Sequence, residues 1–298
     1  MGVTMERGSQ ARGAWLVLAA AMLWGTTGTS QALAPAEASP LAVGALRLAI
    51  GAAVLSAVAA ARGGVHRTAV RAAFGPLLVA AISIALYQLA FFSGVRRTGV
   101  AVGTLVGIGS APIFAGLLAW TVERQRPDGR WYAATALALA GCGLLALPPS
   151  SSDLPPVSPF GLLLTLVAGA SYAVVSLAGQ RIGARMPPDA GMALAFTMGT
   201  VLLLPVLLSQ DLRWLADWPA VAVVLHLGVL ATAVPYVLYL RALRVVPVAT
   251  AVTLTLAEPL TAATLGLVVL GERLPPTGYV GLAVLVGGLG MLVKRKRR

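Results

Sequence analysis

Charge, cysteine and histidine are all scarce in this sequence, and each shortage removes a class of protein. Only 11% of the 298 residues are Asp, Glu, Lys or Arg, where a soluble domain carries about 25%. The single cysteine, Cys142, excludes an intrachain disulfide framework and a cysteine-based metal cluster. Set in "LAGCGLLAL", it reads as a small packing residue. Two histidines, His66 and His226, leave no His–Glu metal pattern, and no phosphate-binding glycine loop is present. No cofactor and no metal are therefore expected. The net charge of +12 would point to nucleic acid in a soluble protein. Here the basic residues fall in short gaps between apolar runs, so membrane topology accounts for them and no nucleic-acid partner is expected.

What the chain has in abundance is apolar length: 58% of it is hydrophobic and its mean hydropathy is +0.87. A bilayer core of ~30 Å takes roughly 17 to 25 mostly apolar residues per helix. That ruler finds ten runs, near 14–33, 41–61, 73–94, 100–121, 131–147, 159–178, 190–208, 220–240, 249–270 and 277–293. They lack the polar face of a soluble amphipathic helix. They are also about twice the ~10 residues of a membrane β-strand and do not alternate. The expected fold is an all-α membrane bundle of ten transmembrane helices.

Loop charges set the expected orientation. With a cytoplasmic N-terminus, 17 of the 22 basic residues lie on the cytoplasmic side, including the tail "KRKRR"; Arg96, Arg97, Arg213 and Arg273 lie opposite, and Arg47 falls inside a span. Both termini are thus expected in the cytoplasm, with the tail held on anionic lipid. The start, "RGAWLVLAAAMLW" before "ALAPAEA", has the outline of a signal peptide with an Ala-x-Ala site. Its apolar core runs on into "GTTGTSQ", too polar for a signal core, and the repeat below needs this helix.

Residues 12–148 and 158–293 resemble each other, separated by a Pro/Ser linker at 149–157 and followed by the tail at 294–298. Pro112 matches Pro259, Glu123–Arg124 matches Glu272–Arg273, and "AGCGLL" matches "GGLGML". Five spans per half is odd, so the second half is expected to enter the membrane inverted, with a substrate site near midplane where the halves meet.

With "MLWGTTGT" in the first span and a Glu–Pro followed by "GERLPPTGYVGLAVLVGGL" near the end, the sequence resembles the drug/metabolite transporter superfamily. It is most similar to the EamA-like branch, and within it to bacterial aromatic amino acid exporters of the YddG type. The resemblance implies export of amino acids or related metabolites from the cytoplasm without ATP hydrolysis by the chain itself. With the inverted repeat, the expected protein is an inner-membrane carrier working by alternating access, with which a monomer is compatible. Small multidrug pumps in the superfamily carry a glutamate in the first span. Here that span has Trp24, Thr26, Thr27 and Thr29 and no acid, which speaks against a drug pump. Organic cations or other metabolites are the alternative cargo.

Two charges lie within spans. Glu258 is nine residues into span nine, ~14 Å from its start, where an acid costs roughly 3 kcal/mol and usually faces a cavity or a partner. Pro259 beside it removes a backbone hydrogen bond and frees a carbonyl of the preceding turn, so a kinked helix is expected with the carboxylate at the kink. Arg47 is ~9 Å below the outer surface; it either snorkels outward or faces the cavity, where with Glu258 it would suit a zwitterion. Trp24, Tyr87, Gln88 and Tyr172 are the ring and amide side chains expected to contact substrate, through stacking and cation attraction. Trp15, Trp120, Trp131, Tyr132, Trp214, Trp218 and Tyr279 are expected in an interfacial belt. Pro112 and Pro259 are candidate hinges, and Gly99, Gly103 and Gly107, four apart, are expected to let span four pack closely. The rival enzyme reading pairs Ser171 with His226, but from the outer surface they lie ~18 Å and ~9 Å deep, beyond hydrogen-bond reach.

Overall fold

Prolines start several of the apolar runs and glycines follow the ends of some. The computed structural model describes residues 2–33, 35, 38–64, 66–146, 158–271 and 273–293; the linker at 149–157, the tail at 294–298 and Glu272 lie outside them. The helices are α1 (Gly2–Ala32), α2 (Pro40–Ala61), α3 (Arg67–Thr98), α4 (Val100–Thr121), α5 (Gly129–Ala146), α6 (Pro159–Gly183), α7 (Pro188–Leu208), α8 (Trp218–Ala242), α9 (Val248–Val269) and α10 (Pro276–Val293). No strand occurs among the described residues. Proline occupies the first turn of α2, α6, α7 and α8, where its missing N–H costs nothing. Ser158 caps α6 by accepting from the Gly161 N–H at 3.2 Å.

Eight helices, α2 to α4 and α6 to α10, are long and apolar enough to cross a membrane. The other two carry polar stretches: "GTTGTS" in α1 and "GRWY" at the start of α5. Gly99 differs from its expected role. It is the single residue between α3 and α4, with φ +82, a backbone conformation open to glycine and strained for other residues. Gly103 and Gly107 do serve packing, against Val95 and against the Phe91 ring respectively.

The helices pack in mated sets. α2 packs along α7 and α5 along α10, each against its counterpart from the other half. α3 packs on α6, and correspondingly α1 on the 234–242 part of α8; α4 packs on α6, and α1 on the 257–269 part of α9. This is the pattern that a two-fold relation between halves requires. It holds at single residues. A Cβ on Gly141 would lie 2.6 Å from the Leu285 nitrogen and 2.8 Å from the Gly281 oxygen. One on Gly288 would lie 2.8 Å from the Ala138 nitrogen and 2.9 Å from the Ala134 oxygen. Sliding Gly141 onto Gly288 carries Ala138 onto Leu285 and Ala134 onto Gly281, so each contact is the mate of the other. Likewise Gly51 meets Phe196 while Gly199 meets Leu48. The α2–α7 pair is tied at both ends: Arg62 Nη1 pairs with Asp189 Oδ2 at 2.8 Å, and the Ser39 hydroxyl donates to Gln210 Oε1 at 2.7 Å.

Trp15, Trp120, Tyr132, Trp218 and Tyr279 are exposed on the helix surfaces, whereas Trp131 and Trp214 are buried. Trp131 turns inward because Gly116 leaves room for its indole; a Cβ there would lie 2.5 Å from the ring. Cys142 is buried against the α5–α10 contact, as a packing residue should be.

Since α5 and α10 touch backbone to backbone, Gly141→Ala and Gly288→Ala are each expected to cost about 1–3 kcal/mol. The readout is a lowered melting midpoint of detergent-purified protein. Gly143→Ala, whose Cβ would meet nothing within 4 Å, leaves the midpoint unchanged.

Candidate functional site

Two helices of the second half are irregular, and both irregularities sit beside the centre of the bundle. In α8 a π-turn spans Val229–Ala233, closed by the Val234 N–H donating to the Val229 carbonyl. Pro235 follows at once and has no N–H to give the carbonyl one turn back. In α9 the helix is interrupted rather than kinked. It runs Val248–Leu254, turns through Thr255 and Leu256, and resumes at Ala257–Val269. Pro259 cannot donate to the Thr255 carbonyl, and the Glu258 N–H does so instead at 2.9 Å. The carbonyl expected to be left free is thus satisfied by a tighter turn. Glu258 stands in the first turn of the second half-helix, and Gly25 of α1 brings its backbone close enough that a Cβ there would lie 2.8 Å from the Glu258 carbonyl.

Between these irregular segments and the first half lies an aromatic cluster. The Trp24 ring meets Tyr236, Tyr239 and Tyr172 at centroid distances of 5.1, 5.5 and 6.1 Å. Tyr87 stacks on Phe91 at 5.5 Å and approaches Tyr172 at 6.1 Å. Phe196 from α7 meets Tyr236 edge-on at 4.9 Å. Rings from α1, α3, α6, α7 and α8 thus come together in one cluster. Beside them is a narrow cavity of ≈ 10 Å³, room for about one water, with Arg47, Gln88, Tyr87, Tyr172, Thr232 and Tyr236 among its lining residues.

Arg47 is turned into this cavity and does not snorkel. Its Nη2 donates to Gln88 Oε1 at 3.0 Å, and Gln88 Nε2 in turn donates to the Gly44 carbonyl at 2.6 Å. The buried amide is therefore fixed in orientation by α2 backbone, which presents its oxygen to the guanidinium. Gly44 has to be small here: a Cβ would lie 2.6 Å from the Phe92 ring. Arg47 and Glu258 do not pair; the ion pairs within 4.0 Å among the described residues are Arg62–Asp189 and Arg213–Asp211. Tyr87 and Tyr236 nevertheless lie within electrostatic range of both charges.

Of the six residues expected to contact substrate, Trp24 and Tyr172 meet in the ring cluster and Tyr87, Gln88, Tyr172 and Arg47 line the cavity. Glu258 is not among the cavity's lining residues and stands at the α9 interruption beside Gly25 of α1. Pro259 lies at the α9 interruption, whereas α4 runs unbroken through Pro112. Phe196 and Thr232 were not singled out from sequence. Pro235, three residues after Thr232, was the available signal, because a proline inside an apolar span marks a disturbed turn before it. The Tyr239 hydroxyl donates to Ser176 Oγ at 2.9 Å, a second buried contact hidden among apolar neighbours.

The Ser171–His226 pairing does not form. The Trp218–Gly228 segment that carries His226 packs on α1 and α2, and His226 Nε2 bonds Thr26 Oγ1 at 2.9 Å. Thr26 already gives its hydroxyl proton to the Leu23 carbonyl, so His226 is the donor. No group of three or more His, Cys, Asp or Glu able to hold a metal occurs among the described residues.

The profile of the EamA-like transporter family matches the chain twice, over residues 11–147 and 159–294. The uncharacterized transporter YwfM of Bacillus subtilis is 45% identical over 279 residues, 93% of this chain and 91% of that protein. The threonine/homoserine exporter RhtA of Escherichia coli K12 is 31% identical over 273 residues, covering 91% and 87%. A crystal structure 20% identical in sequence superposes with a TM-score of 0.80, over 94% of this chain and 95% of that one, which shows the fold. With a family match across both halves, and transporters among relatives aligned along nearly its whole length, the chain belongs to the EamA-like transporter family of multi-pass membrane proteins, within the drug/metabolite transporter superfamily.

Proposed function

We propose that this protein exports neutral amino acids, aromatic ones among them, from the cytoplasm by alternating access through the central cavity. Ten helices cross the inner membrane as two inverted halves with both termini cytoplasmic. The mated contacts of α2 with α7 and α5 with α10 support the two-fold arrangement, and the bias of basic residues supports the orientation.

The observation that supports the reading is two opposite charges within apolar spans, one from each half, that do not pair with each other. Arg47 of the first half lines the cavity, and Glu258 of the second stands at the α9 interruption beside Gly25 of α1. A charge held in an apolar interior is costly unless something answers it. A zwitterion answers both, its carboxylate at Arg47 and its ammonium at Glu258. Each half then holds one end of the substrate, so rocking of the halves is coupled to its capture and release. The rings serve the side chain by stacking. The likeness to RhtA, a threonine/homoserine exporter, supports an amino acid cargo. A second reading, organic cations, is favoured by the rings around a single carboxylate; Arg47 in the same cavity opposes it.

Proteoliposomes test this. Wild-type protein is expected to take up labelled phenylalanine and labelled threonine saturably, above protein-free vesicles. Glu258→Gln and Arg47→Gln each remove a charge-assisted hydrogen bond and should raise KM about tenfold or more. Uptake unchanged in both variants would overturn the zwitterion site. Uptake of labelled organic cations without either amino acid would establish the second reading.

A companion measurement sets the side-chain range. In this conformation the cavity has room for only about one water (≈ 10 Å³), far less than a ligand pocket, so it has to widen and the ring cluster to part for a large side chain. Phenylalanine uptake is therefore expected to depend on Trp24, with Trp24→Ala altering phenylalanine transport several-fold more than threonine transport. Equal effects on both would assign Trp24 to packing alone.

A further inference from the structure

Most buried threonines bond the backbone behind them: Thr98 and Thr253 donate to the carbonyl four residues back, and Thr165 and Thr255 to the one three back, the ordinary fate of a threonine inside a helix. Thr200 and Thr232 have no such partner, and of the two only Thr232 lines the central cavity. Thr232 is 3% exposed, yet its hydroxyl has no hydrogen-bond partner. A hydroxyl buried without a partner costs roughly 1–3 kcal/mol. It lies within the π-turn Val229–Ala233, closed by an i+5→i hydrogen bond, where the backbone departs from the regular helix in which a threonine reaches the carbonyl four residues back. Turns of this kind recur at functional sites.

Its direction follows from its neighbours. The Thr232 methyl packs over Gly51 of α2, where a Cβ would lie 2.9 Å from it, so the hydroxyl points elsewhere. One turn back on α8, Gly228 packs on Ile50 and on the Arg47 carbonyl. The face of α8 holding 228 and 232 thus lies on the face of α2 holding 47 and 51. Thr232 and Arg47 line the same cavity. Arg47 uses Nη2 on Gln88 and has five N–H donors in all.

We infer that Thr232 and Arg47 together form the subsite for the substrate carboxylate, the threonine hydroxyl donating to one oxygen while the guanidinium donates to the other. Two residues with free donors lining one small cavity suit an acceptor-only group, and a carboxylate is one. Gln88, anchored to Gly44, positions the guanidinium. The assignment rests on the amino acid reading above and names the group it adds.

The test compares an amino acid with the same molecule lacking its carboxylate. In proteoliposomes, Thr232→Val is expected to raise the KM for labelled phenylalanine about tenfold while leaving the maximal rate within a factor of two. Thr232→Ser, which keeps the hydroxyl, stays near wild type and shows that the π-turn tolerates substitution. Phenylethylamine, used as an inhibitor of that uptake, is expected to inhibit Thr232→Val as well as it inhibits wild type. Combined with Arg47→Gln, Thr232→Val should add less than its separate effect, since both act on one group. An unchanged KM in Thr232→Val overturns the subsite, as does an equal loss for phenylalanine and phenylethylamine, which would mean that Thr232 only shapes the cavity. Absence of labelled amino acid uptake by the wild-type protein would instead overturn the amino acid reading, and this inference with it.

Discussion

In a bundle of apolar helices every backbone N–H and C=O has to find its partner within the chain, because a hydrocarbon surround offers none. That constraint explains both the regularity of most of this protein and the location of its exceptions. Four helices, α2, α6, α7 and α8, carry proline in the first turn, where no N–H is lost, and Gly63, Gly64 and Gly99 take positive φ just beyond the ends of α2 and α3. Among the described residues α3, α4 and α7 run on through Pro76, Pro112 and Pro205, whereas the α-helical ladder is broken within α8 and α9, beside Pro235 and Pro259. In each the chain reforms its hydrogen bonding locally, by a wider turn at Val229–Ala233 and a tighter one at Thr255–Glu258. Both face the centre of the bundle, where protein covers the irregular backbone.

The scaffold is nearly two-fold and the chemistry is not. The same equivalence that pairs Gly51 with Gly199 puts Arg47 opposite Ala195, and the one that pairs Pro112 with Pro259 puts Glu258 opposite Ala111. Each charge has an alanine as its mate. The repeated parts supply close helix contacts at Gly141, Gly281 and Gly288; the unrepeated parts supply a guanidinium, a carboxylate and an orphaned hydroxyl. A symmetric site would hold two like charges near each other and could not receive a zwitterion. On the proposed reading, loss of symmetry at two positions is enough to give a duplicated scaffold a site with a direction.

The ring cluster adds the mechanical element. Trp24 from the first half touches Tyr172, Tyr236 and Tyr239 from the second, and Tyr87 touches Tyr172. These contacts cross between the halves at the level of the cavity, so relative movement of the halves has to break or exchange them. The ties at the two ends of the α2–α7 pair differ in kind, an ion pair at one end and a neutral hydrogen bond at the other, so parting the two ends costs different amounts.

The apolar runs, their prolines and the repeat were legible in the sequence because hydropathy and spacing are local properties of the chain. So was the singularity of Glu258 and Arg47: a charge in an apolar run stands out without any structure. What the tertiary structure decided was where those groups point and what they meet. A sequence shows a buried Arg47 but not whether it snorkels, since that depends on Gln88, 41 residues away, being anchored to Gly44. It shows Trp131 and Trp214 at span ends, but their burial depends on the space that neighbouring helices leave. Thr232 carries no local mark beyond Pro235. Its hydroxyl is orphaned within a π-turn, and its methyl packs on Gly51 of another helix. Composition and periodicity determined that the chain would form a helical membrane bundle. Which polar groups stand unpaired at its centre was decided by packing between helices far apart in sequence.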